Sequence, residues 1–62
     1  MEITLRAARV NAGLTQEQVR ERLGISRSSL HRFETGKSSP KFKTLCALCE
    51  LYGVQVEAIK KE

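Results

Sequence analysis

Apolar residues recur along this chain at three- and four-residue spacing, in blocks separated by short polar segments that each hold a glycine. That spacing is helical. Leu5, Ala8 and Ala12 share one face, with Ile3 near the start, and predict a first helix over residues 2–12. Gly13 stops it and Leu14 drops into the core. Val19 and Leu23 mark a second helix over 16–23, and Leu30 and Phe33 a third over 26–34. Gly24 supplies the positive φ of the sharp turn between them, and Ile25 plugs that turn. Thr15 with Gln18 fits a capping box, and Ser26 is a good N-cap. Gly36 ends the third helix, with Ser39 and Pro40 suited to N-cap and first position of the next. Phe42, Leu45, Leu48, Cys49 and Tyr52 predict a core-closing fourth helix over 42–52, stopped by Gly53. Val54 packs in, Leu51 stays partly exposed, and residues 56–61 form a short last helix with Ile59 inward. The expected fold is all-α, a compact five-helix bundle.

Sixty-two residues with four Gly, one Pro, no Trp and no Asp fit one domain, residues 1–62, with little suggestion of strands. A chain this short buries only roughly 60% of its unfolded surface, so stability is marginal and dimerisation would help. No apolar run approaches the ~20 residues of a membrane-spanning helix. No basic segment followed by a long apolar stretch opens the chain, so a soluble, cytoplasmic protein is expected.

Charge changes the picture. The net charge is +4. Arg27, Arg32, Lys37, Lys41 and Lys43 stand against Glu34 alone, so residues 27–43 hold that whole excess while the flanks nearly cancel. The outer face of the third helix carries Arg27, Ser28, His31 and Arg32. A short amphipathic helix with a basic, donor-rich face, braced by a second helix, suits a DNA major groove. A merely solvated basic surface is the bland alternative. A patch this local points to a phosphate-bearing partner better than overall pI does.

The stretch from Thr15 to Gly36 resembles the helix-turn-helix of phage repressors and Cro proteins, the XRE-like family. The matching residues are Gln16 opening the first motif helix, Val19, Leu23, Gly24, Leu30, and the ending Phe33-Glu34-Thr35-Gly36-Lys37. The likeness extends from Leu5 to Ile59. It implies a bundle of the lambda-repressor-like type and a sequence-specific regulator of transcription, a small repressor in the first instance. Residue by residue, it implies base reading by Arg27, Ser28 and Arg32, with Ser26 and His31 behind them. Arginine pairs bidentately with guanine, so half-sites containing G are expected. Gln16, at a helix N-terminus, is expected to bind a phosphate and to brace Arg27. Ser29, Thr35, Lys37, Ser38, Lys41 and Lys43 are candidates for phosphate contacts that position without reading sequence. The resemblance further implies a bidentate, partly buried Arg9–Glu34 pair that fixes two helices. Leu51, Val54, Val56 and Ile59 become candidates for a homodimer contact on near-palindromic double-stranded DNA, with half-sites about 34 Å apart. Arg20 departs from the family's pattern, which has a small residue there. Its stem is expected to bend along the helix pair with its head in water. The alternative use of such a fold is protein binding, as an antitoxin or adaptor. Neutralising Arg27 and Arg32 separates the two, since only DNA binding should collapse.

Cys46 and Cys49 form a C-x-x-C, which invites a metal or redox reading. A tetrahedral site needs four ligands, and His31 is expected on the far side. The pair falls mid-helix within an apolar stripe, away from the helix start where a dipole activates thiols. Both are therefore read as small core residues. One histidine, no Asp and no glycine-rich phosphate loop give catalysis little support. No cofactor, metal or small-molecule substrate is expected.

Overall fold

The computed structural model describes residues 2–60. It contains four α-helices: α1 (Leu5–Asn11), α2 (Gln16–Leu23), α3 (Arg27–Thr35) and α4 (Phe42–Tyr52), followed by a single 3₁₀ turn, Val56–Ala58. The expected five-helix bundle is thus corrected to four. The fifth fails because Ile59 is extended (φ −76°, ψ 125°) and pairs in parallel with Ile3 in an isolated β-bridge. Ile3 donates its N–H to Ala58 at 2.7 Å, and Lys60 donates to Ile3 at 2.8 Å. Lys61, the expected end of that helix, lies outside the described residues.

The same bridge trims the first helix. Ile3 is extended, so α1 begins at Leu5 and not at Glu2, with the Thr4 hydroxyl accepting the Ala7 N–H at 3.1 Å. At its other end Ala12 is the cap residue and is exposed, where an inward position was expected. Gly13 (φ +73°) lets the chain reverse, and Leu14 N–H bonds back to the Arg9 carbonyl at 3.2 Å. This closing turn satisfies carbonyls that the helix leaves open.

α2 and α3 follow the spacing of their apolar residues. Thr15 and Gln18 form the capping box, at 3.1 and 2.9 Å. Gly24 takes φ +65° between the two helices. α4 covers the expected residues, but Lys41 is its N-cap, without a side-chain cap bond, in place of Ser39. The chain stays extended through Pro40 and Lys41. The register that turns Leu48, Cys49 and Tyr52 inward leaves Phe42, expected in the core, 72% exposed on the first turn.

Leu5, Ala8, Val19, Leu30, Leu48 and Tyr52 form the buried centre, one or two from each helix. Leu14, Leu23, Ile25, Phe33, Leu45, Leu51, Val54 and Ile59 pack around it half-buried. Among the described residues no helix is long and apolar enough to cross a membrane.

Candidate nucleic-acid interface

α3 presents one side to its neighbours and the other to solvent. Leu30 is buried and Phe33 and Glu34 half-buried, while Arg27, Ser28, His31, Arg32 and Thr35 are exposed. These exposed residues recur at intervals of three and four, so they form one face. Ser26 caps the helix: its Oγ accepts the Ser29 N–H at 3.1 Å and donates to Ser29 Oγ at 2.9 Å. The hydroxyls of Ser26 and Ser29 are therefore occupied with each other at the helix start. Thr35 Oγ1 donates back to the His31 carbonyl at 2.9 Å. Lys37, Ser38, Lys41 and Lys43 are exposed beyond the end of α3, on the connecting turn and the start of α4.

Beneath this face a polar clamp holds the helices together. Arg9 Nε donates to Glu34 Oε2 at 2.7 Å, and Arg9 Nη2 to Oε1 at 3.3 Å. Arg9 Nη1 also donates to the Leu14 carbonyl at 2.8 Å, tying the α1 terminus into the same contact. Gln16 Nε2 donates to Glu34 Oε1 at 2.9 Å. One carboxylate thus accepts from α1 and from the first residue of α2. The side chains are nearly closed to solvent, 12% exposed for Arg9 and 3% for Glu34. A charge so buried is stable only with partners of opposite sign, and here the pairing joins α3 to α1 and to the start of α2. The Gln16 side chain, expected on a phosphate, is engaged with Glu34.

Arg20 lies between α2 and its surroundings as a long side chain must. Its Nη1 donates to the Glu17 carboxylate at 2.9 and 3.2 Å, so its head is paired where open water was expected. Its Nε is buried without a partner among the described residues. Arg6, Arg9, Arg20, Arg27, Gln16 and His31 are among the residues around a polar groove of roughly 600 Å³, enclosed by α1, the start of α2 and α3. Arg6 had no part in the sequence-based site. Its signal was present: it stands three residues before Arg9, on the same side of α1.

All four candidates for a dimer contact are half-buried. Leu51, Val54 and Ile59 pack half-buried against the core, and Val56 is half-buried on the 3₁₀ turn. Cys49 is buried and Cys46 half-buried, both as free thiols. Burial, with Cys46 and Glu57 adding to it, pushes the Cys49 thiol above its ordinary pKa. Among the described residues no three His, Cys, Asp or Glu side chains gather as a metal site would require.

The fold and this face define a helix-turn-helix domain, and the chain belongs to that family, which matches residues 3–60. It is 33% identical over 57 residues to the SPbeta prophage-derived HTH-type transcriptional regulator YonR of Bacillus subtilis, covering 92% of this chain and 53% of that protein. An HTH-type transcriptional regulator of Methanocaldococcus jannaschii is 34% identical over 59 residues, 95% of this chain and 89% of its own length. The cryptic phage CTXphi transcriptional repressor RstR of Vibrio cholerae is 35% identical over 52 residues, 84% of this chain and 47% of its own. The chain thus spans about half the length of the two phage-related regulators. No solved structure matches it significantly.

Proposed function

We propose that residues 1–62 act as one DNA-binding domain of a cytoplasmic transcriptional regulator, a binding protein and not an enzyme. The carrying observation is α3 itself. Its exposed face holds Arg27, Ser28, His31 and Arg32, and its buried edge is fixed by the Arg9–Glu34–Gln16 clamp. A rigidly held helix with that face suits direct readout of a major groove, with Arg27 and Arg32 on guanines. Each good bidentate pair is worth roughly 1–3 kcal/mol of discrimination. Ser28 is the third reader, with His31 and Ser26 at its flanks. Gln16, Ser29, Thr35, Lys37, Ser38, Lys41 and Lys43 supply affinity through phosphates. Two copies meeting through Leu51, Val54, Val56 and Ile59 would place two α3 helices on successive major grooves, which makes the operator near-palindromic. The relatives named as regulators, one of them a phage repressor, support this reading and favour repression.

The test is selection from a random duplex pool at ~0.1 M salt, where phosphate contacts are only partly screened. An enriched inverted repeat with G in each half is the expected outcome. Weak, unselective binding that fades steeply with salt would reduce the face to an electrostatic footprint. No binding would overturn the reading in favour of a protein partner.

A further inference from the structure

The groove beside α3 contains more positive charge than the helix-turn-helix uses. Two carboxylates line it, and each already has its cation. Glu34 is held by Arg9 at 2.7 Å, and Glu17 by Arg20 at 2.9 Å. Two arginines remain on its walls, Arg6 from α1 and Arg27 from the first turn of α3, both exposed and neither hydrogen-bonded to another described side chain. The groove therefore offers two guanidinium groups without a carboxylate partner on a shared polar space that Gln16 also lines, and of the two only Arg27 has a place in base reading. We infer that Arg6 and this groove form a seat for a DNA backbone phosphate, which brings α1 into the interface. The inference rests on the DNA-binding reading and deepens it.

The geometry supports a phosphate over any other anion source. Arg27 is the first residue of the helix proposed to enter the major groove. A strand bordering that groove would run beside the cavity that Arg6 and Arg27 both line. A guanidinium matches a phosphate with two parallel N–H donors. With Arg6 on the phosphate, Arg27 is free to reach bases, and the Gln16 side chain can stay on Glu34 while its backbone N–H faces a phosphate. The division assigns sequence-independent affinity to Arg6 and sequence preference to Arg27.

The experiment compares wild type with Arg6→Gln, Arg6→Lys and Arg22→Gln on the duplex enriched by selection and on a scrambled duplex of equal length. Arg22 is exposed on α2 and lies outside the groove, so it controls for loss of bulk charge. Binding is measured across a salt series. Each phosphate contact contributes about −0.9 to the slope of log K against log salt. The expected result for Arg6→Gln is a slope shallower by about 0.9, equal loss on both duplexes and an unchanged Tm. Arg6→Lys should restore most of the slope, and Arg22→Gln should leave it as in wild type. A wild-type slope in Arg6→Gln, or a loss no larger than that of Arg22→Gln, would overturn the inference and leave the DNA-binding reading standing. A wild type that binds neither duplex would overturn both.

Discussion

Glu34→Ala removes the carboxylate that three donor groups share, and its cost can be worked from the clamp. The Glu34 side chain is 3% exposed and that of Arg9 12%. Deleting one member of a buried pair strands the other and costs roughly 3–5 kcal/mol. Arg9 keeps its bond to the Leu14 carbonyl at 2.8 Å and some access to water, which brings the figure down to about 2–3 kcal/mol. A domain of this length has a total stability of roughly 3–9 kcal/mol at ~0.05–0.15 kcal/mol per residue. The substitution therefore removes a large fraction of it, and Tm should fall by about 10–20 °C. Thermal and urea unfolding followed by far-ultraviolet circular dichroism would measure this, since the chain has no tryptophan. Replacing both members by apolar residues, Arg9→Met with Glu34→Leu, should recover most of the loss, because no charge is then left buried. A loss below about 1 kcal/mol for Glu34→Ala, the value of an exposed ion pair, would refute the clamp as the element that fixes α3.

Three further outcomes follow from the packing. Gly24→Ala should destabilise by about 1–2 kcal/mol in urea melts through left-handed strain alone, because a Cβ there meets nothing within 4 Å. A neutral result would mean that the turn can relax. Leu48→Ala, at a fully buried position, should cost about 2–5 kcal/mol, whereas Phe42→Ser should stay within about 0.5 kcal/mol of wild type. Equal losses would place Phe42 in the core after all. Burial first, and then the nearby Glu34 carboxylate, push the Tyr52 phenol from 10.0 up to about 12, with Arg9 opposing. The folded state then holds this proton more tightly than the unfolded chain. Stability is unaffected by Tyr52 below about pH 10 and falls by up to about 2–3 kcal/mol as pH rises toward 12. Tyr52 is the sole tyrosine, so tyrosinate absorbance reports it directly. Ionisation near pH 10 with helicity intact would contradict the buried position.

The parts of this fold legible in the sequence are those settled within one helical turn. The Thr15 capping box, the Ser26 cap, the reversal at Gly24 and the bounds of α2 depend on residues three or four apart, and the sequence displays them. The parts that escaped depend on partners far along the chain. Nothing near Ile3 announces Ile59, so local spacing alone predicts helix at both ends and a fifth helix at the last. Phe42 fits the apolar spacing of α4, but only packing decides that the first turn of that helix extends beyond the core. On the outer face of α3, the exposure of Arg27, Ser28, His31 and Arg32 follows from helical periodicity. The engagement of Gln16 with Glu34 across 18 residues does not. The spacing of Arg6 and Arg9 puts both on one side of α1, but only the groove shows what Arg6 faces.

The bridge between Ile3 and Ile59 gives the chain the character of a clasped ring. Fifty-six positions separate two residues that share backbone hydrogen bonds, so closing it carries the largest loop entropy of any contact described here. Such a clasp is expected to form late and to open as a unit. The amides of Ile3 and Lys60, one at each end, should exchange their protons with solvent at a common rate, and trimming either end should release the other.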